Sequence, residues 1–285
     1  MTDDAAAAER SDAELIAAAR AGEAPALEAL LERHQPRIYR FSMKMCRRPE
    51  DAQDVLQDTL LAMARSLRDF RGAASVSTWL YTIARSFCIK KRRRSKFAPS
   101  AELSLENEAD GSAAAVPDPG RAPDEAAAGR EIGALLQRAL ASLDSRQREV
   151  LVLRDVEGLP AAEVAEVLGL GVEAVKSRLH RARAALRERL APALGVLLPK
   201  RGAAYVGCPD VVELFSRHLE GQLSARACTE MESHLKRCGW CFANCEALKR
   251  TLGACKAVSV SAPVVPADLQ DQIRAGIRAL LAEQR

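Results

Sequence analysis

The sequence predicts an all-α protein with two helical domains, a flexible linker between them and a small helical metal-binding domain. Ala, Leu, Arg and Glu recur throughout the 285 residues, and these residue types lose little conformational freedom in a helix. Val and Ile do not alternate with polar residues over the length of a strand. Apolar residues instead recur at helical spacing in several segments, which favours helices throughout.

The domain boundaries follow changes in composition. Residues 98–129 are acidic, rich in Ala, Ser, Pro and Gly, and lack aromatic residues, so this segment is predicted to be a flexible linker. Helical domains are predicted on either side, in residues 1–97 and 130–192. A cysteine-rich domain follows in residues 193–285 and ends in an amphipathic helix that begins near residue 267.

Individual helices are predicted in the first domain from apolar spacing and from Gly and Pro positions. The expected helices are residues 11–32 with an interruption near Gly22, then 36–46, 51–70 and 78–91.

Positive charge is concentrated in two segments, although the net charge is only +4. Seven Lys and Arg residues lie between residues 85 and 96, where there is no acidic residue. Six more lie between residues 176 and 189, against a single glutamate. Two such segments suggest two contacts with a polyanion, whereas either one alone also fits a solvated helix face.

The sequence also indicates the compartment. The first ten residues are acidic and Ala-rich, unlike a signal peptide, and no stretch approaches the roughly 18 apolar residues that span a bilayer. We therefore expect a soluble, cytoplasmic protein without membrane contact. Thiols stay reduced there, so its eight cysteines are better explained as metal ligands or redox sensors than as disulfides.

Residues 159–189 have the pattern of a helix-turn-helix. Pro160 suits a helix start, Gly169 suits the left-handed end of a short helix, and a longer helix begins near Val172. The outer face of that second helix could enter a major groove of DNA. An αα-hairpin with a charged surface is the alternative.

Six of the eight cysteines follow residue 205, and three potential ligands form the string His234-x3-Cys238-x2-Cys241. If this segment is one helix, these residues and Cys245 share a face. Imidazole and thiolate ligands suit tetrahedral Zn²⁺, and Cys208 could add another thiolate. Buried or unligated cysteines are the alternative.

Two segments together resemble the extracytoplasmic-function (ECF) sigma factors of bacterial RNA polymerase. PEDAQDVLQDTLLAMARSLRDFRGAASVSTWLYTIARS is similar to the second conserved region of that family. LASLDSRQREVLVLRDVEGLPAAEVAEVLGLGVEAVKSRLHRARAAL is similar to the fourth. The resemblance covers about residues 11–190 and implies two sigma domains, the second a helix-turn-helix.

The resemblance implies a polymerase contact and a contact with the −10 promoter element. Asp51, Asp54, Gln57 and Asp58 would dock on the clamp helices of the polymerase's largest subunit. Residues 71–78 and the following helix would capture unstacked bases, and the −10 contacts would come from Arg71, Ser86, Lys90, Lys91 and Arg92. Many relatives have Asn at the position of Ser86, and Trp79 is expected to be a core residue.

The resemblance also implies a contact with the −35 element. Lys176, Ser177, His180 and Arg181 would face the bases, and Arg178 would meet a backbone phosphate.

Cys208 with the His234 string resembles the zinc-binding anti-sigma family. That resemblance makes Cys208, His234, Cys238 and Cys241 the ligands of Zn²⁺. The remaining tail cysteines could bind a second thiophilic metal or form a redox switch; these are Cys228, Cys245 and Cys255. Cys46 and Cys88 are expected to be packing residues.

The predicted function is therefore a sigma factor that directs core polymerase to promoters and carries a metal- or redox-responsive tail. The alternatives are a helix-turn-helix regulator that does not dock on core polymerase and a metal-binding protein. No nucleophile arrangement or Gly-rich phosphate loop points to an enzyme. The sequence leaves open the sign of the metal effect, a separate anti-sigma factor, and whether the last helix packs on the sigma domains or closes its own domain.

Overall fold

The regular structure in the computed structural model is helical. The structure describes residues 10–46, 48–97, 123–196, 198, 207–260 and 264–283, and these ranges contain no strand. The all-α prediction is therefore confirmed. The chain forms two units, one of residues 1–116 with 262–285 and one of residues 117–261.

The described part of the first unit contains five α-helices. They are α1 (Asp12–Arg20), α2 (Ala24–Met45), α3 (Pro49–Ser66), α4 (Val76–Phe97) and α12 (Ala267–Glu283). A 3₁₀ turn, Leu67–Asp69, follows α3. Helix α1 begins with a capping box between Ser11 and Glu14, and the interruption predicted near Gly22 is present, with that glycine at φ +98°.

Helix α2 differs from the prediction. A separate helix starting at Pro36 was expected, but α2 runs through Pro36 without a break. An interior proline costs roughly 3 kcal/mol of helix stability. Leu30, Leu31, Ile38 and Phe41 are fully buried on both sides of it, and this apolar stripe offsets the cost.

Helix α3 lies at the centre of the first unit and contacts α2, α4 and α12. Its predicted buried stripe is confirmed, including Val55, Leu56 and Leu60. Helix α12 buries Leu269, Ile273 and Ile277, so the last helix packs on α3 in the first unit. Among the described helices, none contains an apolar stretch of the length that a membrane span requires.

The described part of the second unit contains seven α-helices and a π-helical turn. They are α5 (Pro123–Ala141), α6 (Ser145–Leu151), the turn Val152–Val156, α7 (Ala161–Leu168), α8 (Val172–Leu190), α9 (Val211–Leu219), α10 (Ala225–Arg237) and α11 (Gly239–Val260). Residues 123–129 were predicted as linker but are helical. Pro123 at the first helical position and the alanines after it favour a helix. Residues 98–122 of the predicted linker lie outside the described part.

The helix-turn-helix prediction is confirmed. Helix α7 ends at Gly169, which is left-handed at φ +65°, and α8 begins after the extended residue Gly171. Val164, Val175 and Leu179 are fully buried within the motif. This packing fixes α8, the predicted recognition helix.

Helices α9, α10 and α11 form the cysteine-rich part of the second unit. Their apolar core centres on Val211, Val212, Cys241 and Leu248, and Ala184 of α8 packs against it. The recognition helix and the cysteine-rich part therefore share one hydrophobic contact region.

Candidate functional site

Four potential metal ligands converge in the cysteine-rich part. The ligand atoms of Cys208, His234, Cys238 and Cys241 all lie within 4.8 Å of one another. The Sγ atoms of Cys208 and Cys238 are 3.7 Å apart, and Nε2 of His234 is 3.0 Å from Sγ of Cys241. Tetrahedral Zn²⁺ with Zn–S bonds of about 2.3 Å separates its ligand atoms by roughly 3.5–3.8 Å. The donor set fits this ion, and the Cys208–Cys238 distance matches the expected spacing, whereas the His234–Cys241 distance is shorter.

Three separate segments supply these ligands. Cys208 lies before α9, His234 is in the last turn of α10, and Cys241 is in the first turn of α11. The segment from His234 to Cys245 is not one continuous helix, because α10 ends at Arg237 and Cys238 is extended at its C-cap, so the condition for a shared face of these residues is not met. This break brings the Cys238 thiol toward Cys208, and it leaves Cys245 outside the group.

The two neighbouring thiols of the cluster differ in acidity. The backbone N–H of Cys241 bonds to Cys238 and lowers the pKa of that thiol, and the thiols of Cys241 and Cys208 act in the same direction. Burial raises the pKa of Cys241, and the adjacent thiols raise it further. A cation bound among these sulfurs would favour the thiolate at both positions.

The remaining tail cysteines do not form a second group. Within the part of the chain that the structure describes, none of Cys228, Cys245 and Cys255 joins a set of three or more metal-capable side chains. Cys228 lies 3.3 Å from Nδ1 of His218, while Cys245 and Cys255 are buried. Burial also raises the pKa of the Cys245 thiol.

The predicted base-reading residues lie on different sides of α8. Ser177 and Arg181 are exposed, whereas Lys176, Arg178 and His180 are half-buried. The carboxylate of Glu173 accepts a hydrogen bond from Lys176 at 2.9 Å and another from Gln222 of the cysteine-rich part at 3.2 Å. The cysteine-rich part therefore lies on the side of α8 that carries Lys176. A ring nitrogen of His180 lies within 4.8 Å of carboxylates of Asp210 and Glu213.

A buried ion network holds the C-terminal half of α8. The guanidinium of Arg183 donates to Asp155 at 2.6 and 2.9 Å, and to Glu220 at 2.8 Å. It also donates to Oγ of Ser216 at 2.8 Å. Burial alone would lower the pKa of Arg183, but the two carboxylates raise it above its usual value, so this side chain stays charged.

A second arginine extends this contact along the helix. Arg187 lies one turn after Arg183 and donates to Oδ1 of Asn244 on α11 at 2.8 Å. Lys176, His180, Arg183 and Arg187 are spaced three or four residues apart and so share one side of α8. This is the side that the cysteine-rich part covers.

The predicted polymerase-binding residues lie on α3. Asp54 and Asp58 are exposed, whereas Asp51 and Gln57 are half-buried. Lys91 of α4 pairs with Asp54, and its Nζ lies 4.0 Å from Asp51. The Asp54 pairing raises the pKa of Lys91. Lys91 therefore lies against the carboxylates of α3, which we call the acidic face, whereas its sequence neighbours Lys90 and Arg92 are exposed.

Of the remaining residues predicted for the −10 contact, Arg71 lies before α4 and Ser86 lies in its middle. Arg71 and Ser86 are exposed, and Gly72 between them in sequence has φ +72°, a conformation that favours glycine. Trp79 is half-buried and stacks on Phe70 with ring centroids 4.7 Å apart.

Helix α12 covers one edge of α3. A Cβ built on Gly276 would lie 3.1 Å from Cδ2 of Leu61, which shows how closely the two helices approach. Arg274 donates to Glu32 of α2 at 2.6 Å. Gln57 lies one helical turn before Leu61, so α12 packs along the side of α3 that includes this predicted polymerase contact.

Sequence reasoning missed the contacts made by Glu220, Asn244 and Leu61. Glu220 and Asn244 belong to a segment that was interpreted only through its cysteines. A buried acidic residue at the end of α9 has no local signature, because its partner Arg183 lies 37 residues earlier.

The comparisons with known proteins match three families. The family described as "Sigma-70 region 2" matches residues 30–97, and "Sigma-70, region 4" matches residues 133–186. The family described as "Putative zinc-finger" matches residues 208–242. The ECF RNA polymerase sigma factor SigM of Mycobacterium tuberculosis H37Rv is 38% identical over 66% of this chain and 87% of that protein. The chain belongs to the ECF sigma factors.

One further relative agrees with this assignment. The ECF sigma factor SigW of Bacillus subtilis is 28% identical over 59% of this chain and 91% of its own length. A solved structure of CnrH in complex with the cytosolic domain of CnrY is 28% identical, covers 64% of this chain and 99% of its own, and has a TM-score of 0.48.

An ECF sigma factor is a transcription initiation factor and not an enzyme, and it acts with RNA polymerase and promoter DNA. The predictions of the family and of a sigma-factor function are confirmed, and the metal- or redox-responsive role of the tail stays a prediction. The zinc-finger match and the cluster of three cysteines and one histidine together indicate a metal-binding domain.

Proposed function

We propose that this ECF sigma factor selects promoters for core polymerase under the control of its own C-terminal segment, acting in the cytoplasm. The observation that carries this proposal is the burial of Arg183 in a network that includes Glu220 of the cysteine-rich part. A recognition helix held in this way is not fully available to DNA. The segment would do in cis what a separate anti-sigma factor does in trans.

The polymerase contact is assigned to the acidic face of α3. Asp54 and Asp58 are exposed and would form charge-assisted hydrogen bonds to cationic side chains of the clamp helices. Asp51 and Gln57 would extend this surface. Lys91 would exchange its pairing with Asp54 for solvent or a promoter phosphate when polymerase docks.

The promoter contacts are assigned to two helices in different units. In the first unit Arg71, Ser86, Lys90 and Arg92 would contact the −10 element, where binding of phosphates makes affinity strongly salt-dependent. In the second unit the outer face of α8 would enter the major groove at the −35 element. The residues assigned there are Lys176, Ser177, Arg178, His180 and Arg181.

Restraint of the DNA-binding helix comes from the side that the cysteine-rich part covers. Lys176 and His180 share that side with Arg183 and Arg187, whereas Ser177 and Arg181 remain exposed. Full readout of the −35 element would therefore require α9 and α11 to move away from α8. The cost of this step would lower promoter affinity in the restrained state.

Restraint of the polymerase-binding helix comes from α12. Its apolar face, formed by Leu269, Ile273 and Ile277, is buried in the first unit, and Gly276 lies against Leu61 of α3. Polymerase docking along Asp58 and Gln57 would compete with this helix.

We assign the metal as Zn²⁺, held by Cys208, His234, Cys238 and Cys241. When bound, it would link the segment before α9 to α10 and α11 and so stabilise the core against which Ala184 of α8 packs. Zinc would thus favour the restrained state, and its loss would release the recognition helix.

The test of the initiation role is run-off transcription with purified core polymerase and the full chain. We expect defined start sites that core polymerase alone does not produce. Retention on DNA without binding to core polymerase would instead identify a helix-turn-helix regulator, and the proposal would fail.

A further inference from the structure

The first unit contains a cysteine pair that the sigma-factor function does not use. Sγ of Cys46 lies 3.6 Å from Sγ of Cys88, although the two residues are 42 positions apart in sequence. Cys46 caps the C-terminal end of α2 in an extended conformation, and Cys88 lies in the middle of α4. We propose that Cys46 and Cys88 form a reversible thiol–disulfide site that responds to a peroxide and is separate from the metal cluster.

The geometry suits a disulfide. A disulfide needs an S–S distance of about 2.05 Å, so the sulfur atoms would have to approach by roughly 1.5 Å. Cys46 is the C-cap residue that follows α2 and has an extended backbone, and its N–H donates to the carbonyl of Ser42 at 2.8 Å. Rotation of this side chain would bring its sulfur toward that of Cys88.

Exposure distinguishes the two sulfurs. Cys46 is half-buried and so can be reached by a small oxidant, whereas Cys88 is buried with a relative exposure of 7%. Cys46 is therefore the thiol that reacts first, and Cys88 is the thiol that resolves the product.

The reaction is balanced with hydrogen peroxide as the oxidant. The Cys46 thiol gives up its proton and attacks one peroxide oxygen as the thiolate. The O–O bond breaks, and the released proton joins the departing hydroxide, so that a sulfenic acid and water form. The Cys88 sulfur then attacks the Cys46 sulfur, the S–O bond breaks, and a second water leaves. Two thiols are oxidised to one disulfide while one peroxide is reduced to two waters, and a cellular dithiol can reverse the change.

The link would tie α4 to the end of α2. Helix α4 carries Ser86 and Lys90 next to Cys88, and Lys91 one turn beyond it pairs with Asp54 of α3. Oxidation would therefore attach α4, the helix assigned to the −10 contact, to the end of α2 in addition to its ion pair with α3. It would act on the first unit alone, whatever the metal content of the second.

The test is peptide mapping of the full chain after treatment with hydrogen peroxide. Trypsin would release residues 45–47 (MCR) and 86–90 (SFCIK) as one disulfide-linked species, with two hydrogen atoms fewer than the separate peptides. Reduction should separate them. We also expect the oxidised chain to unfold at a higher temperature than the reduced chain.

Two variants test the assigned order. Cys88→Ser should accumulate a sulfenic acid at Cys46 that reacts with dimedone, whereas Cys46→Ser should leave Cys88 unmodified at the same peroxide dose. Cys245→Ser is the matched control and should form the link as the parent does. Oxidation of the tail cysteines without the linked peptides would overturn the proposal, as would equal dimedone labelling of both variants.

Discussion

Arg183 in the recognition helix and Glu220 at the end of α9 form an ion pair of 2.8 Å, with side-chain exposures of 1% and 4%. Separating this buried pair would leave Arg183 with Asp155 and Glu220 with Arg154, so the buried network would lose part of its compensating charge. The pair therefore couples the position of the cysteine-rich part to the helix that reads promoter DNA.

Removing the charge of Glu220 should release the recognition helix. Glu220→Gln weakens the hydrogen bonds from Arg183 and Arg154. We expect this change to reduce the free energy that holds the cysteine-rich part on α8 by on the order of 2 kcal/mol. We expect tighter binding of a −35 promoter fragment, measured by fluorescence anisotropy. Glu230→Gln, which alters an exposed pair on α10, is the matched control and should bind as the parent does. Unchanged affinity in Glu220→Gln would contradict the restraint.

Helix α12 should compete with core polymerase. Ile277→Glu places a charge in the buried contact with the first unit, whereas Ala279→Glu places it on the exposed side of the same helix. We expect tighter binding of core polymerase for Ile277→Glu and no change for Ala279→Glu, measured by titration with labelled core. A chain ending at residue 263 should behave like Ile277→Glu. Weaker binding in that shortened chain would show that α12 assists docking instead.

Charge reversal on α3 should abolish polymerase binding. Asp54→Lys with Asp58→Lys replaces the exposed carboxylates by cations that would repel the proposed cationic partner surface. We expect at least tenfold weaker association with core polymerase in a pull-down and titration. Asp69→Lys, at an exposed position outside α3, should associate normally. Normal association of the double variant would place the docking surface elsewhere.

The stability of the first unit should decrease in acid because of a buried histidine. Burial lowers the pKa of His34 below 6.5 and outweighs its partner Asp12, which lies 2.8 Å from Nε2. A pKa lowered by folding means that the unfolded chain binds the proton more readily, so stability present above pH 6.5 is lost as the pH falls through that value. Asp12 adds to this loss at lower pH: burial raises its pKa, but Arg33 and His34 together lower it below 3.8.

This dependence can be measured as the thermal unfolding midpoint of the first unit at several pH values between 7.5 and 5.5. His34→Gln should reduce the fall in that midpoint, because the titrating group is gone. His218→Gln, at an exposed position on α9, should leave it unchanged. An equal fall in all three proteins would assign the acid sensitivity to other groups.

Much of this fold follows from local sequence patterns. The stripe around Leu56 and the turn at Gly169 depend on neighbours within one or two helical turns, and the cysteine and histidine spacing is equally local. The continuity of α2 through Pro36 could not be predicted, because the burial that offsets the proline comes from other helices.

The contacts that restrain the proposed sites join residues that are far apart in sequence, so local patterns do not reveal them. Arg183 belongs to a basic segment that is compatible with DNA binding, and nothing near it in sequence indicates that Glu220 neutralises it. Gly276 lies in an amphipathic helix whose pattern predicts a buried face but not its partner, Leu61. Such pairings depend on tertiary packing, so sequence periodicity leaves them open.

Zinc binding should depend on the four-residue cluster and not on the other buried thiols. Cys238→Ser removes one ligand of the cluster, whereas Cys245→Ser removes a buried thiol outside it. We expect about one zinc per chain in the parent and in Cys245→Ser, and loss of the metal in Cys238→Ser, by elemental analysis of purified protein.

The most direct test of the central claim is the amount of run-off transcript made by core polymerase with each of these three proteins at equal concentration. If zinc stabilises the restrained state, Cys238→Ser should give several times more transcript than the parent, while Cys245→Ser matches it. Equal or lower output from Cys238→Ser, with its zinc lost and its sigma helices folded, would contradict control of the sigma factor by its own C-terminal segment.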